Sequence, residues 1–205
     1  IIGTSKTISS NKKRFRIIKV NFFEKSELSK FYNYFRNKKI DILINNAGIN
    51  KISSINKINI EDYKKILYLN LEIPALITKL VSKNMIKNKK GRIINISSIF
   101  GVVSKEMRSA YSSSKFGILG LTKSSALDLA NKNILVNSIS PGFINTELTR
   151  RILKKSGMKI MAKTIPLKRV GKVEEIALLT VFLCSNYNTY ITGQNIVIDG
   201  GFTVK

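Results

Sequence analysis

Tyr111 and Lys115 are the pair from which a chemistry can be read, with Ser98 thirteen residues upstream. Side chains four apart on a helix leave from one face, one turn above the other. An ammonium held beside a phenol favours the phenolate and is expected to lower a pKa that is about 10 when unperturbed. Such a tyrosine can serve as general acid or base near neutral pH. Ser98 adds a hydroxyl that could hold a carbonyl oxygen while the tyrosine gives it a proton. The tyrosine–lysine spacing alone occurs by chance in many helices, so its meaning depends on its surroundings.

The chain contains no histidine, which removes Ser-His-Asp hydrolysis, His-ligated zinc and imidazole proton transfer. Proton chemistry falls to carboxylate, lysine or tyrosine, and no metal site is expected. Cys184 is the single cysteine. It has no partner for an internal disulfide and, following the apolar run 177–183, reads as helix core. The formal charge of +24 arises from 36 basic against 12 acidic residues. The basic residues are scattered through nearly every connecting segment, so the stripe that marks a nucleic-acid footprint does not form. The reading is a solvated basic surface that attracts anionic ligands, with no nucleic-acid partner. Apolar stretches are too short and too interrupted for a membrane span, and no signal-sequence pattern opens the chain. A cytoplasmic protein is expected.

The 205 residues, 43% hydrophobic, suffice for a single domain over 1–205. Buried strands are expected at 1–4 and 40–44, and further strands at 15–20, 92–96, 134–139 and 195–199. Helical periodicity marks 24–38, 60–88, 108–131 and 173–185. A short polar connection is expected over 5–14, and 146–164 is weakly periodic. Gly117 and Gly120 lie inside the helix of Tyr111, where each costs about 1 kcal/mol against alanine. Close approach of a neighbour is expected to offset that cost. Strands separated by helices in this rhythm define a doubly wound α/β fold, with a parallel sheet covered on both faces. Ligands of such sheets bind beyond the carboxyl ends of the strands. Asn45-Asn46-Ala47-Gly48, Ser97-Ser98 and Pro141-Gly142 all fall there, on one rim. Read singly, Ser98 is equally a helix cap and Asn45-Asn46 turn residues. Gly142 could simply supply a turn, and Asn70 a polar helix position.

Taken in order, Asn45-Asn46-Ala47-Gly48, Asn70, Ser98, Tyr111/Lys115 and Pro141-Gly142-Phe143-Ile144-Asn145-Thr146 resemble the short-chain dehydrogenase/reductase family. The tail agrees, with Pro166 to Gly171, Glu174-Glu175-Ile176-Ala177, Tyr190-Ile191-Thr192-Gly193 and Asp199-Gly200-Gly201. Within the family the chain is most similar to 3-oxoacyl-[acyl-carrier-protein] reductases, over essentially its whole length.

The resemblance implies a Rossmann-type oxidoreductase that transfers hydride from a nicotinamide cofactor to a ketone or 3-oxoacyl group, as in fatty acid biosynthesis. Tyr111 would protonate the carbonyl oxygen, Lys115 would bind the nicotinamide ribose, and Ser98 would hold the substrate carbonyl. Asn70 would anchor a water in a proton relay, its carbonyl left free because Pro74 has no N–H. Asn45, Asn46, Ala47 and Gly48 would line the cofactor cleft, with Thr4, Asn21 and Phe22 toward the adenine end. Pro141, Gly142, Ile144 and Thr146 would meet the nicotinamide. No carboxylate follows the first strand at Gly3-Thr4-Ser5-Lys6, which suits the 2′-phosphate of NADP, with NAD remaining open. Residues 145–165, with Leu148, Ile152, Leu153, Met158, Ile160 and Met161, would form a lid. Lys89 and Lys132 would contact an acidic carrier protein. A homo-oligomer, dimer or tetramer, is implied through the helices at 60–88 and 108–131.

The chain departs from the family at its front. Only Gly3 precedes Gly48, so the glycine-rich pyrophosphate turn and the first βα unit, roughly thirty residues by the length of such units, are lacking. The expectation is a fragment of a longer reductase. The alternatives are a non-catalytic relative serving as a subunit or binding module, and an enzyme acting on a sugar or other small ketone or alcohol.

Overall fold

The computed structural model describes residues 1–12 and 15–204, with the backbone alone for residues 12, 148, 151–153 and 155. Its elements alternate as expected: β1 (Ile2–Ser5), β2 (Ser10–Lys12), β3 (Phe15–Lys19), α1 (Lys25–Phe35), β4 (Ile42–Asn45) and α2 (Ile60–Leu67). There follow α3 (Ile73–Asn88), β5 (Gly91–Ile96), α4 (Ser109–Leu129), β6 (Ile134–Pro141), α5 (Glu147–Thr164), α6 (Val173–Cys184) and β7 (Asn195–Ile198). Strands β4-β5-β6-β7 form an all-parallel sheet in that order. A second sheet has the order β1-β3-β2, with β1 parallel and β2 antiparallel to β3. This is a Rossmann-type α/β fold.

Apolar residues follow one another in β5 (Ile93, Ile94) and β6 (Ile134, Leu135, Val136) because both faces of the sheet are covered there. Ile93, Ile134 and Val136 pack with Phe31, Phe35, Leu69, Ile73 and Leu129 on the face of α1, α3 and α4. Ile94 and Ile139 pack on the other face with Leu183, Ile176 and Leu179 of α6. No helix among the described residues is long and apolar enough to cross a membrane.

Several expectations are corrected. The strands at 1–4 and 40–44 are not buried: Ile2, Ile42 and Ile44 are 41%, 46% and 47% exposed. Among the described residues β4 pairs only with β5, and Ile42 and Ile44 share the face of α6, a helix that packs over β5 and β6. Residues 5–14 are not a plain connection, because β2 lies within them as a short antiparallel strand; Lys13 and Arg14 fall outside the described residues. The helix expected over 60–88 is interrupted by a π turn at Tyr68–Glu72. Proline at position 74 provides the cause, since it cannot donate to the carbonyl four residues back. The weakly periodic stretch is helical, broken at Lys154 by φ 54° and ψ −179°. The lid residues Leu148, Ile152 and Leu153 lie outside the described side chains.

The two helix glycines of α4 behave differently. A Cβ on Gly117 would stand 2.7 Å from Leu71 Cδ2, so the π turn packs close against α4 there. A Cβ on Gly120 would meet nothing within 4 Å. The expected compensation is present at the first position and absent at the second. Gly120→Ala should therefore stabilise the protein by about 0.5–1 kcal/mol, measured as a shift of the urea unfolding midpoint at unchanged slope.

Candidate active site

The parallel register of β4, β5 and β6 carries Asn46-Ala47-Gly48, Ser97-Ser98 and Gly142 to one rim. Ser98 is buried, and its Oγ accepts the Phe100 N–H at 3.2 Å, capping a 3₁₀ turn at Ile99–Gly101. That turn lies flat on α4. A Cβ on Gly101 would fall 2.6 Å from the Lys115 carbonyl oxygen and 2.6 Å from Ser97 Oγ. Ser97 Oγ donates to that same carbonyl at 3.0 Å. The end of β5 is thus tied to the helix turn bearing Tyr111 and Lys115.

Asn70 ties in the third element. It is 2% exposed. Its Oδ1 accepts the Ile49 N–H at 2.9 Å, and its Nδ2 donates to the Ile49 carbonyl at 2.9 Å and to Ser114 Oγ at 3.1 Å. Ser114 Oγ in turn donates to the Tyr111 carbonyl at 2.7 Å. One amide therefore fastens the loop after β4 to α4. Beneath the rim, Asn45 Nδ2 donates to Asn95 Oδ1 at 2.8 Å and to Thr78 Oγ1 at 3.3 Å, and Asn95 Nδ2 donates to Thr122 Oγ1 at 2.9 Å. Asn45 thus faces the interior, while Asn46, Ala47 and Gly48 are exposed on the rim.

Lys115 is 5% exposed and donates through Nζ to the Ile96 carbonyl at 2.8 Å. Burial pushes its pKa down from 10.5 to about 8. The tyrosine does not behave as the pairing alone predicts. The Tyr111 pKa is raised above 10.0: burial is the largest influence, and a hydrogen bond from Ser98 and the charge of Arg108 only partly oppose it. Lys115 Nζ stands 5.6 Å from the centre of the Tyr111 ring. Its own tendency to lose the proton explains why it does not reverse the shift. Tyr111 consequently holds its proton at neutral pH, as a proton donor must.

Other expected positions are more dispersed. Thr4 is exposed on β1 in the other sheet. Asn21 donates its N–H to Glu27 Oε2 at 2.6 Å, and the Phe22 ring is core, edge-on to Phe31 at 5.5 Å. Any ligand contact at Phe22 would run through its backbone. Pro141 ends β6, and the Gly142 N–H donates to the Ile198 carbonyl at 2.9 Å. Ile144 bridges to Gly171, and Thr146 Oγ1 caps α5 through the Thr149 N–H at 3.1 Å. Lys89 ends α3 and Lys132 follows α4, joined where Asn133 Nδ2 meets the Lys89 carbonyl at 3.1 Å. Both precede β5 and β6, so they sit on the rim opposite Ser98 and Tyr111. Two further neighbours, Ser114 and Arg108, are not evident from the motifs. Each lies three residues from Tyr111, Ser114 one turn on along α4 and Arg108 at the helix's N-cap.

This rim on this fold places the chain among nicotinamide-linked oxidoreductases. The chain belongs to the short-chain dehydrogenase/reductase family. The family model described as "Enoyl-(Acyl carrier protein) reductase" matches residues 7–203. The chain is 39% identical over 210 residues to 3-oxoacyl-[acyl-carrier-protein] reductase FabG of Buchnera aphidicola subsp. Schizaphis graminum, covering 98% of this chain and 86% of that protein. A short-chain dehydrogenase family protein from Francisella tularensis superposes with TM-score 0.92 at 31% identity, covering 100% and 88%. A 4-hydroxyisoleucine dehydrogenase mutant complexed with NADH and succinate gives TM-score 0.90 at 31% identity, with the same coverage.

The Lys115 pKa carries a stability signature. Between about 8 and 10.5 the folded state binds fewer protons at this site than the unfolded state, so unfolding free energy climbs with pH across that window. Urea titrations at pH 7, 8, 9 and 10 should show wild type gaining on Lys115→Met over this range, with no relative gain below pH 7.

Proposed function

We propose that this protein reduces the 3-oxo group of an acyl substrate with NADPH, Tyr111 supplying the proton. The observation that carries this reading is one rim holding Ser98, a protonated Tyr111 and a buried Lys115, with Asn70 fastening the loop beside them. The 3-oxoacyl-[acyl-carrier-protein] reductases to which the chain is 39% identical support the substrate class.

The residues fit the ribose and nicotinamide side of such a cofactor. Lys115 Nζ has three donors and uses one on Ile96, leaving two for ribose hydroxyls. Gly48 keeps the approach open, since a Cβ there would stand 3.2 Å from Asn70 Oδ1 and 3.8 Å from Lys115 Nζ. Ile144 and Thr146 would border the carboxamide. Thr4, Ser5 and Lys6 would meet the 2′-phosphate, with Asn21 and the Phe22 backbone toward the adenine. When bound, the cofactor supplies hydride from its nicotinamide to the substrate's carbonyl carbon.

The chain's own residues do the rest. Ser98 orients the carbonyl oxygen. Tyr111 donates its phenolic proton to that oxygen as negative charge develops there, and its raised pKa keeps the proton in place until then. Lys115 and a water on the Asn70 carbonyl return a proton to the tyrosinate. The surface charge of +24 draws anionic substrates and an acidic carrier toward the protein, with Lys89 and Lys132 as contacts on the far rim. Self-association as a dimer or tetramer through α2–α3 and α4 would cover Phe116 and Leu127, which are 48% and 83% exposed.

Tyr111→Phe should lower NADPH oxidation with a 3-oxoacyl thioester by at least a thousandfold while leaving NADPH affinity within threefold by fluorescence titration. Retained turnover would rule out Tyr111 as proton donor. Lys6→Glu should shift the kcat/KM preference from NADPH toward NADH by at least tenfold, read from parallel assays with the two cofactors.

A further inference from the structure

Between β6 and α5 the chain crosses 142–146, and a distant segment, 169–172, is laid against it. Gly171 is the point of contact. Its N–H donates to the Phe143 carbonyl at 2.9 Å, and its own carbonyl accepts the Asn145 N–H at 2.9 Å. This is one rung of parallel pairing, with Ile144 opposite Gly171. A Cβ at 171 would stand 2.5 Å from Ile144 Cδ1, so only glycine lets the strap rest on that side chain. The start of the crossing is held by β7: the Gly142 N–H donates to the Ile198 carbonyl, and a Cβ on Gly142 would fall 2.7 Å from Asp199 Cβ. In a parallel rung the flanking residues take the bonds, which turns the N–H and carbonyl of Ile144 itself away from the strap.

The strap takes its shape from Glu175, in the first turn of α6. Glu175 Oε2 accepts the Lys172 N–H at 2.6 Å. The Arg169 guanidinium meets both carboxylate oxygens, Nη1 donating to Oε2 at 2.9 Å and Nη2 to Oε1 at 2.6 Å. One carboxylate therefore holds both ends of the segment whose glycine carries Ile144. The guanidinium and the Lys172 N–H hold the Glu175 pKa down to about 2, so the carboxylate stays charged throughout the neutral range. Capping α6 requires only the Lys172 bond; the fork from Arg169 adds nothing to the helix and closes the strap instead. The two side chains are 47% and 35% exposed, where an ion pair contributes little stability. What a planar two-bonded fork does supply is direction. Resting on the reading in which Ile144 and Thr146 border the nicotinamide, we propose that Glu175 is a positioning residue for hydride transfer. Through Arg169 and the strap it sets the place and direction of the 143–146 backbone against the nicotinamide ring. The adenine end of the cofactor, assigned to Thr4, Asn21 and Phe22, is remote from the strap in the chain, so loosening the strap acts on the nicotinamide end alone.

The test separates the two ends of the cofactor. NADPH and 2′-phospho-ADP-ribose, which lacks the nicotinamide, are titrated calorimetrically into wild type, Glu175→Gln, Arg169→Gln and Arg169→Lys. Glu175→Gln should weaken NADPH binding at least fivefold and leave 2′-phospho-ADP-ribose within twofold. Arg169→Gln should match it, because it cuts the same link, and Arg169→Lys should recover part of the loss. With a 3-oxoacyl thioester and saturating NADPH, kcat of Glu175→Gln should fall at least fivefold while the KM of the thioester stays within twofold. Equal loss of both ligands, or loss of neither, overturns the assignment. If circular dichroism shows Glu175→Gln unfolded, the two Arg169 variants decide by the same ratio. A wild type that binds NADPH and reduces no 3-oxoacyl thioester removes the substrate reading, and the ligand ratio still decides the role of Glu175. A wild type that binds neither ligand removes both.

Discussion

The structure depends on a single row of polar side chains, buried on β4, β5 and β6 and half-buried on β7, that crosses the parallel sheet. Asn45, Asn95, Ser138 and Asn195 stand in register on β4, β5, β6 and β7. Buried amides and hydroxyls must be paired, and here they pair with one another and with the helices above. Asn45 meets Asn95, Asn95 meets Thr122, and Ser138 and Ser140 both donate to Asn195 Oδ1. A slip of one residue would break these pairs together and turn each strand's apolar side chains to the wrong face. The row lies just below the rim, so the same constraint that fixes register fixes the height at which the strand ends deliver their loops.

The site is built on that scaffold with few additional contacts. Gly101 lets the turn after Ser98 rest on the Lys115 backbone, and Asn70 holds Ile49 against α4. The first contact joins backbone to backbone and the second backbone to a buried side chain, and neither depends on a flexible surface group. Chemical tuning is a consequence of the same burial. Taking water away from Tyr111 and Lys115 pushes both toward their neutral forms, which favours a hydroxyl that gives its proton and an amine that can relay one.

Much of this is legible in the sequence because it rests on local patterns. Alternation of strand and helix sets the architecture, and the strand ends at Asn45, Ile96 and Pro141 place the rim. The spacing of Tyr111 and Lys115 places both on α4, and the structure brings Ser98 beside that helix. The illegible features are non-local. Apolar letters at Ile42 and Ile44 read as burial, yet whether a strand face is covered depends on where a helix more than a hundred residues later comes to rest. The sign of the Tyr111 shift escapes the sequence because a nearby charge is visible in the spacing, whereas desolvation depends on everything packed around the ring. Asn45 belongs to the rim motif in sequence and to the interior in space, since a strand's last side chain can face either way. Arg108 is one of 36 basic residues, and only its place at the N-cap of the helix that carries Tyr111 distinguishes it.

The polar row has a consequence for folding. Its bonds join residues far apart in the chain, 50 positions between Asn45 and Asn95 and 57 between Ser138 and Asn195. The chain between such partners must close into a loop before the contact can reward it. The sheet therefore assembles late and as one unit, with the local helices forming ahead of the strand pairs they cover.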